Sequence, residues 1–132
     1  MANEYADHTT LRSPLGRVRG LGSAKSGTMH WWHQRVTSAL LLPLTLWFAL
    51  SAALLAGASH TETVAWIARP HNAVLLLATI GLSFHHTAAG MQVILEDYVN
   101  QEWLRMGAVL AVKTICSLLA LASALAVLRI AI

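Results

Sequence analysis

The chain is short of charge. Asp, Glu, Lys and Arg make up 11% of its 132 residues, against roughly 25% in soluble domains. That shortage excludes an ordinary water-facing domain, and a hydrophobic share of 56% with a mean hydropathy of +0.56 points to lipid as the solvent. Cysteine is nearly missing too. The single Cys116, set inside an apolar stretch, excludes a disulfide framework and a cysteine-based metal site, and is expected to be a small packing residue. Internal repeats and low-complexity segments are absent. The N-terminal arm has no apolar h-region and contains Glu4 and Asp7, so it is expected to be neither a cleavable signal nor a transit peptide.

What the chain does contain is three long uncharged or nearly uncharged runs. Val36 to Ser59 and Asn72 to Leu95 hold no Asp, Glu, Lys or Arg, and Trp103 to Ile132 holds only Arg105, Lys113 and Arg129. A spanning helix needs about 20 mostly apolar residues, because lipid cannot satisfy the backbone N–H and C=O groups. The expected fold class is therefore all-α and integral to the membrane. One membrane domain covers residues 1–132, with an arm over 1–33 and three transmembrane helices over about 34–58, 71–96 and 103–130. No room is left for a separate soluble domain.

The basic residues set the expected orientation. Arg12, Arg17, Arg19 and Lys25 lie in the arm and Arg35 at the mouth of the first helix, whereas the first loop has only Arg69. By the positive-inside rule the N-terminus is cytoplasmic, or on the matrix side of a mitochondrion, and the second loop, Glu96 to Glu102, returns to that side. A bacterial inner membrane is the simpler expectation. The Gly-, Pro- and Ser-interleaved arm has little reason to form a long helix. It is expected either to touch anionic headgroups or to order against a cytoplasmic partner subunit, not to bind nucleic acid. Trp31 and Trp32, before His33, and the separate Trp66 and Trp103 fit interfacial aromatic anchors.

Chemistry is most legible in the second helix. His85 and His86 are adjacent within it. Counting back from Asp97 at about 1.5 Å per residue puts His86 roughly 16 Å deep, near the middle of a hydrocarbon core about 30 Å thick. An imidazole there is expensive and asks for a partner. His86, Gly90, Val93 and Asp97 share one helical face, while His85 is turned about 100° away with Ala89, Gln92 and Glu96. Gly90 would let a flat macrocycle or another helix come close to the backbone. Three readings stand on spacing alone: axial ligation of a haem iron by a neutral imidazole, an interhelical hydrogen bond, or a proton relay.

At the end of that helix Glu96 and Asp97 oppose the macrodipole, so a compensating contact is expected. They are either solvated carboxylates or, with Tyr98, part of a polar site where the phenol donates to a carbonyl ligand from the bilayer. Arg35 can pair with Asp97, with an anionic ligand such as a haem propionate, or simply snorkel. Lys113, about 10 Å or more inside the third helix, is expected to snorkel toward the cytoplasmic face.

The run from His86 through Gly90, Met91 and Gln92 to Asp97 and Tyr98, on the second of three helices, closely resembles the hydrophobic membrane anchor subunits of succinate dehydrogenase. The segment from Ser26, Gly27 and Thr28 through His30, Trp31 and Trp32 to Gln34, Arg35, Val36 and Thr37 is similar to the start of helix one in the same family. The resemblance covers about Leu15 to Trp103; the third helix matches in character only. It implies a complex of a flavoprotein that oxidises succinate, an iron–sulfur subunit and two membrane anchors, of which this chain is the smaller. It further implies that His86 gives haem b one axial ligand, as the one metal-ligating residue, and that the second anchor gives the other. Tyr98 would hydrogen-bond ubiquinone, with Asp97 near the quinone and Arg35 near the haem propionates. His85 departs from the simplest family pattern, and the helical phase shared by His86, Gly90 and Asp97 favours His86. The chain would contribute to a quinone site without itself acting on succinate. Outside the resemblance stand a small transport or channel subunit with a histidine relay and a purely structural anchor.

Overall fold

The computed structural model describes Leu15 and residues 27–132. The arm residues Arg12, Arg17, Arg19 and Lys25, on which the orientation argument draws, lie outside the described residues. Within residues 27–132 four helices follow in chain order: α1 Gly27–Leu54, α2 His60–Ile67, α3 Pro70–Tyr98 and α4 Glu102–Ala131. All ordered structure among the described residues is helical. α1, α3 and α4, of 28, 29 and 30 residues, are long and apolar enough to cross a membrane. At about 1.5 Å per residue each exceeds a hydrocarbon core about 30 Å thick, so their ends extend into the interfaces.

The boundaries of α1 differ from the expected 34–58. The described part of the helix begins at Gly27, seven residues earlier, and the stretch from Gly27 to His33 carries no charge and no proline to stop it. It ends at Leu54, where the chain turns through Gly57 at φ 88°, a left-handed conformation that favours glycine. Ser59 then caps α2 and Glu62 closes the capping box. The backbone N–H and hydroxyl of Ser59 both reach the Glu62 carboxylate, at 2.7 and 2.8 Å. This helix within the first loop was not expected. Trp66, on α2, stacks on Trp47 of α1 with centroids 5.7 Å apart.

Several hydroxyls inside the spans donate to carbonyls of their own helices, which suits lipid. Thr45 donates to the Leu41 carbonyl at 2.7 Å, Thr79 to that of Leu75 at 2.7 Å and Ser117 to that of Lys113 at 2.8 Å. Pro70 opens α3, where its missing N–H costs nothing. Glu102 in the first turn of α4 and Arg129 in its last both suit the macrodipole.

α3 is the central element. α1 and α4 each pack on it without packing on one another, and α2 touches α3 and α4. α1 and α3 are antiparallel, since the earlier Gln34 lies against Gly90 and the later Thr37 against His86. At the far end Asn72 donates to the Trp66 carbonyl at 2.7 Å, beside the buried Ala73 and Leu76. Most other apolar side chains face outward: Leu42 is 71% and Leu110 68% exposed. Such a surface is stable against lipid or other helices and not against water.

Candidate functional site

The site grows from the middle of α3. His86 lies 12 residues before Tyr98, the last residue of α3, about 18 Å from that end at the helical rise. Its ring turns toward α1. His86 Nδ1 is 2.9 Å from Thr37 Oγ1, and His86 Nε2 is 3.4 Å from Gln34 Nε2.

The protons on these groups can be assigned by accounting. The Thr37 hydroxyl has one hydrogen, and it is directed at the carbonyls of His33 at 2.8 Å and Gln34 at 3.1 Å. With the hydrogen so directed, the oxygen accepts from His86, which corresponds to the tautomer protonated at Nδ1. Nε2 is left with its lone pair, met by the Gln34 amide at a distance too long for a strong hydrogen bond.

Two polar atoms on the same face of α1 have no partner. His30 Nε2 and Gln34 Oε1 are buried and unbonded, an arrangement that carries a desolvation penalty and is uncommon in a finished protein interior. His30 and Gln34 are one helical turn apart; Gln34 meets His86, whereas His30 lines the cleft that holds His85.

Gly90, one turn beyond His86, also faces α1. A Cβ added there would lie 3.3 Å from Gln34 Nε2. Of the two roles expected for Gly90, close approach of a helix is seen. His85 behaves differently. It is exposed and lines a cleft of about 410 Å³ between α3, α4 and the first turns of α1, together with His30, His33, Gln92, Lys113 and Cys116. The expected 100° separation thus sends one histidine to the α1–α3 contact and the other to the cleft.

Arg35, one turn below Trp31 on α1, lies over its ring at 5.3 Å from the centroid, and Trp31 meets Trp32 edge-on at 5.3 Å. The stack leaves the guanidinium exposed. Asp97 and Tyr98 are both exposed, Tyr98 to 81%. The compensation expected for the carboxylates falls on Glu96, which accepts from Gln92 Nε2 at 2.6 Å. Lys113 is exposed and also lines a second cleft, of about 260 Å³, with Glu96 and Arg105. The antiparallel pairing brings the first turns of α1, with Trp31 and Arg35, to the same end of the molecule as Asp97 and Tyr98.

Sequence reasoning from spacing did not single out Thr37, Gln34 or His30. The available signal is their i, i+4, i+7 spacing, which puts three polar side chains on one face of an apolar helix. Among the described residues no three His, Cys, Asp or Glu side chains come together to hold a metal ion. An iron that arrives with its own equatorial ligands needs only one imidazole from the chain, and the Nε2 of His86, held only by the 3.4 Å contact to Gln34, is free to serve as that ligand.

Known proteins complete the picture. The family described as succinate dehydrogenase/fumarate reductase transmembrane subunit matches residues 9–120. A succinate dehydrogenase hydrophobic membrane anchor subunit of Rickettsia bellii is 36% identical over 104 residues, covering 78% of this chain and 82% of that protein. A succinate dehydrogenase membrane anchor subunit of Reclinomonas americana is 34% identical over 94 residues, 69% of this chain and 78% of that protein. A hydrophobic membrane anchor subunit of Paracoccus denitrificans is 30% identical over 86 residues, covering 65% and 67%. No solved structure gives a significant match. With three spanning helices and a family match over most of its length, the chain belongs to the succinate dehydrogenase/fumarate reductase transmembrane subunit family.

Proposed function

We propose that this protein is the small membrane anchor subunit of a succinate:quinone oxidoreductase, that it gives His86 to haem b as an axial ligand, and that it presents Tyr98 to ubiquinone. The observation that carries the reading is the state of His86. Its imidazole stands in the middle of a spanning helix, with Nδ1 2.9 Å from Thr37 Oγ1 and Nε2 held only by a long contact to Gln34. A haem ligand needs that arrangement: one nitrogen fixed by an acceptor, the other presenting its lone pair. The haem, shared with a second anchor subunit, supplies a one-electron redox centre within the bilayer.

The remaining residues fall into place around that centre. Arg35, exposed and on the same end of the bundle, offers a guanidinium suited to propionate carboxylates. Gly90 keeps the helix face beside His86 low. The exposed Tyr98 phenol can donate to a quinone carbonyl at the interface, with Asp97 next to it as an acceptor in reach of water. Quinone is lipid-soluble and the oxidation of succinate is not, so the site belongs at a membrane edge beside a docked iron–sulfur subunit, which in turn carries the flavoprotein. The N-terminal end of α1 and the α3–α4 loop then face the cytoplasm of a bacterial cell.

The test is an optical spectrum of the complex purified through this subunit, together with its quinone reductase activity. A low-spin b-type spectrum in a four-subunit complex supports the proposal. A complex without haem, or one lacking the iron–sulfur and flavoprotein subunits, contradicts it.

A further inference from the structure

We propose that Thr37 is a positioning residue for His86: its hydroxyl selects the Nδ1–H tautomer, aims Nε2 as the ligand nitrogen, and so distinguishes His86 from its neighbour His85. The inference rests on the assignment of His86 to haem b and extends it to the residue that sets the ring.

The argument begins with what Thr37 is. It is the one buried side chain of α1, 8% exposed, and it lies within a span, so water has little access to replace its hydrogen bonds. A threonine in a helix can direct its hydroxyl hydrogen at the carbonyl one turn back, and Thr37 does so at 2.8 Å toward His33. The backbone of α1 therefore fixes where the oxygen's lone pairs point. His86 Nδ1 meets them at 2.9 Å, so the orientation of the imidazole is inherited from the main chain of a different helix. The β-branched methyl restricts χ1 further.

His85 lacks such a partner among the described residues and lies exposed in the cleft. The two histidines are identical in chemistry and adjacent in sequence. Only one has its tautomer decided in advance, which removes the ordering cost that ligation would otherwise carry. An acceptor on Nδ1–H also raises the basicity of Nε2, strengthening its bond to ferric iron.

The experiment uses the assembled complex. Thr37→Val keeps the shape and removes the acceptor, while Thr37→Ser keeps the acceptor. Removing such a partner weakens retention of the bound group by about 10–100-fold in comparable sites, so Thr37→Val should lose haem faster by that order. It should also raise the haem midpoint potential, because the ferric state loses more than the ferrous. Thr37→Ser should restore both. In a His86→Ala background Thr37→Val should leave the abundance of the complex unchanged, whereas a packing role would lower it there as well.

Wild-type retention and potential in Thr37→Val overturn the proposal. So does a loss of assembly by Thr37→Val that persists in the His86→Ala background, or failure of Thr37→Ser to restore. If His86→Ala alone retains the haem, the ligand assignment itself is wrong and the role of Thr37 falls with it. If His86→Ala is haem-free while Thr37→Val is unaffected, only the role of Thr37 falls.

Discussion

A polar side chain inside a bilayer is costly unless its hydrogen-bonding groups are met, and at the residue scale that rule separates the two histidines of α3. His86 meets Thr37 and Gln34 on α1, while His85 opens on a cleft. Depth and helical phase were legible in the sequence. The partner was not, because it comes from a helix about fifty residues away whose polar stripe is only three side chains long. Arg35 shows a similar limit: its spacing from Trp31 is i, i+4, but a helix expected to start at 34 hides a pair that the helix running through Trp31 brings together. Tyr98, exposed at the end of α3, carries the first expectation. Losing one hydrogen bond to a neutral carbonyl costs about 0.5–1.5 kcal/mol. Tyr98→Phe should therefore slow succinate–quinone reduction by about a few-fold to tenfold, while succinate oxidation with a soluble artificial acceptor stays near wild type. Unchanged quinone turnover in an assembled complex would remove Tyr98 from the site.

At the scale of elements, three uncharged runs were enough to read three spanning helices, since composition and length decide that question in lipid. Their ends and the loop helix α2 depend on local geometry that hydropathy does not report: the turn at Gly57 and the capping box of Ser59 and Glu62. The Ser59 backbone N–H, and then its hydroxyl, hold the Glu62 carboxyl below its ordinary range. A carboxyl with a lowered folded pKa contributes stability above its unfolded value and loses it as pH falls through the folded one. Amide protection at the start of α2 should thus persist at neutral pH and decline only in acid, as hydrogen exchange across a pH series will show; Ser59→Ala should weaken it already at neutrality. The α1–α3 contact yields a second expectation. An added methyl at Gly90 meets only the movable end of Gln34 at 3.3 Å, so Gly90→Ala should assemble with nearly normal haem content. Gly90→Leu should force α1 away from α3 and deplete haem, measured as haem per assembled complex. Equal behaviour of the two variants would show that α1 does not approach α3 closely there.

On the scale of the whole molecule, the fold leaves much unfinished. The buried residues among those described are Thr37, Asn72, Ala73, Leu76 and Ala89, and α1 and α4 do not pack together. Helices in lipid associate through close packing and interhelical hydrogen bonds rather than through hydrophobic burial, so these faces suit further helices, which the proposed function assigns to a second anchor. Expressed alone the subunit should accumulate poorly and lack haem, and coexpression with the second anchor should restore both. The orientation has its own check. In a Cys116→Ser background, Asn3→Cys and Asn100→Cys should be protected from an impermeant thiol reagent in intact spheroplasts, and His60→Cys should react; labelling at Asn3→Cys would invert the topology. The most direct measurement compares the low-spin haem spectrum of the purified, assembled complex in His86→Ala and His85→Ala. The account predicts that the b-type signal is lost or strongly perturbed in His86→Ala and retained in His85→Ala; a signal abolished by His85→Ala alone would contradict it.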